Sequence, residues 1–299
     1  LSALESHRVV VVESPTGSGK TTQLPIILHE AGYSRAGMIG VTQPRRIAAV
    51  SVSSFVARQL GEEIPGTVGY KMRFYDETTP DTRIKVMTDG ILLQEIKNDQ
   101  YLRDYSIVMV DEAHERSLNI DFVLGLLKRA LELRDDLRVI VSSATINADV
   151  FSQYFDSCPI VRIETEMYPV QIIYDDPRVS NVKKQAAAEA DRKGYRINAR
   201  AEREMVYDAR IDRVVGIVQR VMEEDELVGD MLVFLSGEQM IKDCMTRLYA
   251  LPMREKLYIL PLYGRLSKEE QDAVFPPTPA GKTKIVLATN IAETSITID

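Results

Sequence analysis

Two short stretches carry the residues best suited to chemistry. The first is Ser14 to Thr22, SPTGSGKTT, which follows the apolar run Val9 to Val12 and precedes a helical segment. Glycines at 17 and 19 let the backbone turn its N–H groups inward, and the start of a helix adds a dipole favourable to phosphate. Lys20 has the reach for the β- and γ-phosphates of a nucleotide, and Thr21 has the hydroxyl to ligate magnesium. Thr16, Gly17, Ser18, Gly19 and Thr22 complete the expected phosphate cradle. The second stretch is IVMVDEAH, residues 107 to 114. Two carboxylates at the carboxyl end of a buried strand are costly unless a cation or hydrogen bonds compensate. Asp111 is expected to act on magnesium, usually through water, and Glu112 to position and deprotonate an attacking water. His114, one of only three histidines, fits a packing or hydrogen-bonding role as well as a coupling role.

Elements that could position these groups follow from the pattern around them. Nearly unbroken apolar runs recur at Val9 to Val12, Met38 to Val41, Ile107 to Val110 and Val139 to Val141. Such valine- and isoleucine-rich runs suit parallel strands buried on both faces. Helical segments lie between them at Thr22 to Glu30, Ile47 to Leu60, Ile91 to Lys97 and Asp121 to Leu133. Alternating strand and helix imply an α/β fold with an open, doubly wound parallel sheet. From about residue 176 to 208 the chain turns polar and charged, which reads as a solvated helical insertion or, alternatively, a nucleic-acid-binding arm. The alternation then resumes at Met231 to Leu235, Tyr258 to Leu262 and Ile285 to Ala288. Two domains are therefore expected, at 1–166 and 167–299.

Composition narrows the function classes without choosing one. The 299 residues are 45% hydrophobic and 27% charged, ordinary for a soluble globular protein of about two domains. Cys158 and Cys244 lie far apart with no ligand-spaced partners, which argues against a zinc site or a disulfide framework and for a reducing, cytoplasmic location. No apolar run reaches the roughly 18 residues of a membrane span. The net charge of -7 argues against a basic nucleic-acid coat, but not against a local arginine-lined cleft. Because the chain opens on Leu1 without a methionine, it reads as part of something longer.

These segments, taken in order, resemble the DEAH-box helicases of superfamily 2, the bacterial members most of all. GSGKTTQLP (Gly17 to Pro25) resembles motif I, and TQPRRIAA (Thr42 to Ala49) motif Ia. VGYKMRF (Val68 to Phe74) resembles the hook-turn strand and MTDGILLQE (Met87 to Glu95) motif Ib. DEAHERSLNIDF resembles motif II and SSAT (Ser142 to Thr145) motif III. LVFLSGE, PLYGRLSKEEQDAVF and ATNIAETSIT resemble motif IV, the segment after it and motif V.

The resemblance implies two RecA-like lobes, ATP with Mg2+ between them, and a nucleic-acid strand across the top. It implies hydrolysis driving 3′-to-5′ movement on single-stranded RNA or a duplex with a 3′ overhang, with no membrane. DNA stays open as the strand, because phosphate contacts do not distinguish sugars. A nucleotide-gated RNA clamp without turnover is the alternative of a different class. Arg45, Arg46, Arg73 and Thr88 match backbone contacts of the first lobe, and Thr289 and Asn290 those of the second. Ser143 and Thr145 match residues linking ATP state to lobe closure.

Three departures stand out. Ser14-Pro15 replaces the usual Gly-Glu before motif I, and the segment between Tyr168 and Gly229 is longer than usual. Phe55 stands where the family stacks an arginine on adenine, with Phe275 matching the aromatic opposite. A base between two rings could still bind, and equally Phe55 could be core. The chain halts at Asp299, before motif VI, so the second lobe is expected to be incomplete at its C-terminus.

Overall fold

Successive side chains of a strand point to opposite faces, so a strand covered on both sides needs apolar residues at every position. The central strand Tyr105–Val110 shows the result, with every residue buried. Val108 and Val110 join one apolar cluster, while Ile107 and Met109 join the other. Those two clusters form the double core of the first of two compact units, which span chiefly Leu1–Met167 and Tyr168–Glu293. The computed structural model describes residues 1–15, 17–144, 148–164, 169–174, 199–223 and 229–292. Thr16, Thr145 and most of the charged stretch 176–208 thus lie outside the described residues.

The first unit is built on an eight-stranded sheet. Its strands are β1 (Val9–Glu13), β2 (Met38–Gln43), β3 (Val68–Met72), β4 (Tyr75–Glu77), β5 (Ile84–Thr88), β6 (Tyr105–Val110), β7 (Arg138–Ser143) and β8 (Ile160–Arg162). They run in the order β4-β3-β5-β2-β6-β7-β1-β8, and every pairing is parallel except the β3–β4 hairpin. Helices α1 (Ser2–Ser6), α2 (Lys20–Glu30), α3 (Arg46–Gln59), α4 (Asp89–Asn98), α5 (Leu118–Leu133) and α6 (Ala148–Tyr154) accompany it. Parallel strands place all their carboxyl ends along one edge. The pairings Glu13 with Ser143, Thr42 with Val110 and Gln43 with Thr88 align that edge residue by residue. Ligands of open α/β sheets bind there, where neighbouring connections diverge.

β5 escapes a search for unbroken apolar runs because Lys85 interrupts it. That lysine is buried, with its ammonium 2.5 Å from Glu95 of α4, so the strand tolerates a charge at a core position.

The second unit carries a three-stranded parallel sheet, ordered β10 (Leu257–Leu262), β11 (Thr283–Ala288) and β9 (Met231–Phe234). Helices Ala199–Glu223 and Glu238–Tyr249 pack on it through Ile211, Val215, Val218, Ile241, Cys244 and Leu248. Residues 199–208 of the charged stretch are helical. β9 lies at an edge of the described sheet, with Leu232 45% and Phe234 52% exposed. Both units are α/β with mainly parallel sheets, the doubly wound class expected from the alternation.

Candidate active site

Two glycines shape the loop after β1. Gly17 has φ +80° and Gly19 φ +79°, a left-handed backbone that side chains rarely adopt. Gly19 caps α2, so the first N–H groups of that helix face the loop. Lys20 follows at once, with only 5% of its surface exposed. Its Nζ lies 3.9 Å from Glu112 Oε1, and the side chains of both are nearly sealed from solvent. A buried ammonium and carboxylate would each be costly alone, so the pair is mutually required.

Beside this pair, Thr21 Oγ1 donates to Asp111 Oδ2 at 2.5 Å. The same oxygen accepts from Gln43 Nε2 at 2.7 Å. Asp111 Oδ1 is buried and has no hydrogen-bond partner. A carboxylate oxygen left bare beside a threonine hydroxyl, both hard oxygen donors, suits a magnesium ion. The residues present therefore fit the metal that the phosphate loop implies.

Glu112 itself has φ 52° and ψ 35°, and Arg116 φ 48°. Left-handed conformations at non-glycine residues cost on the order of 1–3 kcal/mol and persist where the surroundings over-determine them. Here the strain turns the chain sharply out of β6 and aims Glu112 back at Lys20. His114 lies within the same turn. Its Nδ1 accepts from the Ala144 N–H at 3.2 Å, which leaves the proton on Nε2, 3.3 Å from Glu112 Oε2. Burial holds the His114 pKa below the usual imidazole value, and Lys20 adds to the effect against the Glu115 and Asp111 charges. Ser143 Oγ donates to Ala144 O at 2.9 Å, and its carbonyl accepts from the Ser14 N–H. Ser14, at the departure from the family pattern, is thus buried and tied to β7.

Farther along the same edge, Arg45 is half-buried and its guanidinium lies 3.3 Å from Glu115 Oε1. Arg46 is exposed at the first position of α3. Thr88, half-buried, is the N-cap of α4. Arg73 is exposed in the turn between β3 and β4, with its guanidinium 5.2 Å from the centre of the Phe74 ring. Phe55 is half-buried on α3 and lies outside the apolar cluster formed by its neighbours Val52 and Val56. In the second unit, Thr289 is half-buried after β11 and donates its N–H to Leu262 O, while Asn290 is exposed at the start of a short 3-10 turn. Phe275 is half-buried in the loop before β11. Lys20, Thr21, Asp111, Glu112 and His114 thus converge, and the arginines spread outward from them along the strand ends.

Residues 1–152 match the DEAD/DEAH box helicase family, and residues 211–299 match the helicase conserved C-terminal domain. The chain belongs to the DEAD/DEAH box helicases. It is 49% identical over its whole length to the ATP-dependent RNA helicase HrpA of Borreliella burgdorferi, of which it spans 33%. It is 44% identical to the Haemophilus influenzae HrpA homolog over 99% of its length, and 44% identical to the Escherichia coli HrpA over all of it. Of those two relatives it spans 20% and 21%. As in other helicases of this family, the two units are RecA-like.

Two residues within the motif segments have surroundings at this site that the motifs do not reveal. Gln43 is fully buried and bridges β2 to Asp111. Its sequence signal is a polar pair, Thr42-Gln43, at the end of a buried strand, the same signature that marks Asp111 and Glu112. Asp89 opens α4 and is 3% exposed, with Oδ1 unpartnered. Burial pushes its carboxyl up to about 6; the Thr42 hydroxyl pulls the other way, and the Glu115 and Asp111 charges add to the rise.

Between the unfolded carboxylate value and about 6, the folded protein binds the extra proton, so Asp89 loses stability as pH rises through that window. We expect Asp89→Asn to stabilise the protein relative to wild type by an amount that grows from pH 4 to pH 7, reaching roughly 3 kcal/mol. Denaturant unfolding of both proteins across that range is the measurement, and a difference independent of pH would refute the assignment.

Proposed function

We propose that the chain is the motor of an ATP-dependent RNA helicase, with residues 1–166 and 167–299 as its two lobes. The observation that carries this is the buried cluster at the strand ends. There Thr21 donates to one oxygen of Asp111 while the other oxygen is buried and bare, with Lys20 and Glu112 3.9 Å apart beside them. Those are the groups needed to bind a nucleoside triphosphate, hold its metal and activate water. The HrpA relatives, named as ATP-dependent RNA helicases, support RNA as the polymer.

In this reading the N–H groups around Gly17, Gly19 and α2 cradle the phosphates, and Lys20 turns from Glu112 to the β- and γ-phosphates. Thr21 and Asp111, the latter usually through water, would hold Mg2+, which would supply positive charge beside the transferring phosphoryl group. Glu112 accepts a proton as water oxygen bonds to the γ-phosphorus and the bond to the β–γ bridging oxygen breaks. His114 lies with Nε2 3.3 Å from Glu112 and reaches motif III through Ala144, a route from the nucleotide to the segment linked with lobe closure. Phe275 and Phe55 flank the base.

Arg45, Arg46, Arg73 and Thr88 grip the backbone of a single strand of RNA, or of a duplex with a 3′ overhang, and Thr289 and Asn290 do so from the second lobe. Among the described residues no helix is long and apolar enough to cross a membrane. Cys158 and Cys244 are buried and unbridged, which supports a reducing, cytoplasmic setting.

The deciding experiment compares ATP hydrolysis by the intact protein with matched RNA and DNA single strands. Stimulation by RNA is expected. Equal stimulation by DNA would make it a general single-strand motor, and none by either would overturn the proposal. Arg46→Ala and Arg73→Ala are each expected to weaken binding of all single-stranded sequences alike. Each should flatten the slope of log affinity against log salt by roughly 0.7. A loss confined to some sequences would argue against a backbone grip.

A further inference from the structure

Lys284 is the largest of the side chains wholly sealed from solvent, on β11 in the middle of the second unit's sheet. A buried ammonium is costly unless its protons are used, and a methionine would fill similar space without that cost. The ammonium donates to Pro276 O at 2.9 Å and to Val274 O at 3.2 Å, the carbonyls on either side of Phe275. A second tether holds the same loop. Asp230 accepts from Thr278 Oγ1 at 2.6 Å through one oxygen and from the Lys284 N–H at 2.9 Å through the other. Val274 is fully buried, yet Phe275 between the two bonded carbonyls is only half-buried and stands outside the unit's apolar cluster. The loop is thus fastened at both flanks of a ring that is only half-buried.

We propose that Lys284 is a positioning residue that presents the Phe275 ring to the nucleobase, making base contact depend on a lysine in the sheet. The inference rests on the proposed stacking of Phe275 on the base. Rigid presentation matters because an aromatic ring that must be ordered on binding returns less affinity than one already in place.

The test uses the intact protein with Mg2+ and two ligands, ATP and inorganic tripolyphosphate, which has no base. Phe275→Ala is expected to lower ATP affinity about tenfold, within the range for one lost base–aromatic stack, and to leave tripolyphosphate affinity unchanged. Lys284→Met should reproduce most of that selective loss, and the double variant should bind ATP no more weakly than Phe275→Ala alone. If Lys284→Met fails to unfold cooperatively, Lys284→Gln, neutral and shorter, takes its place. A Lys284 variant that weakens both ligands equally, or neither, while Phe275→Ala stays selective, would overturn the positioning role. A non-selective Phe275→Ala would instead overturn the stacking on which it rests.

Discussion

Replacing Lys20 by alanine is expected to abolish measurable nucleotide hydrolysis in the intact protein. Lys20 sits at the first position of α2, where the left-handed Gly19 has already turned the chain, so its side chain projects into the loop between β1 and the helix. With 5% of its surface exposed, its charge acts in a medium that screens weakly. Loss of one preorganised donor to developing charge typically costs on the order of 10² to 10³ in rate, and Lys20 contributes a full charge besides. Alanine also takes from Glu112 an ammonium 3.9 Å away, so the base as well as the phosphate is disturbed. Phosphate release measured with saturating RNA and ATP provides the check, with unfolding curves to show that the variant remains folded. Near-normal turnover would sink the assignment of the phosphate loop.

A milder substitution separates chemistry from binding. Glu112→Gln keeps the size of the side chain and an oxygen that can accept from His114 Nε2, 3.3 Å from Glu112 in the wild type. Glutamine removes the charge and the basicity but little of the packing. ATP binding is therefore expected to survive, while turnover falls by about 10² to 10⁴, the range for lost general acid–base catalysis. Titration of ATP onto the variant, alongside single-turnover hydrolysis, distinguishes the outcomes. Loss of binding together with loss of stability would mean that Glu112 serves the strained turn after β6 rather than the attacking water.

Local chemistry made much of this protein legible. The double apolar runs at Val9 to Val12 and Ile107 to Val110 leave no polar face, so they had to become central parallel strands. The glycines at 17 and 19, placed between such a strand and a helix, admit few structures other than a phosphate-binding turn. Edges were less legible. β9 has the apolar composition of a central strand, yet half of it is exposed, because composition does not say that it lies at an edge of the described sheet. β5 was obscured by Lys85, whose charge is tolerable only because Glu95 meets it from the next helix.

What tertiary structure alone decided is how groups far apart in the chain satisfy one another. Gln43 meets Asp111 across 68 residues, and nothing in either segment names the other. The role of His114 was open in the sequence between packing and coupling. Folding brings the Ala144 N–H, 30 residues away, to its Nδ1, and this sets the tautomer that faces Glu112. Asp89 reads as an ordinary helix-opening carboxylate until burial raises its pKa. Lys284 has no assigned role in the sequence, and in the sheet it is buried with its ammonium on the two carbonyls beside Phe275. In each case the sequence supplies the group, but its partner or environment depends on burial and distance, which exist only once the strands have assembled.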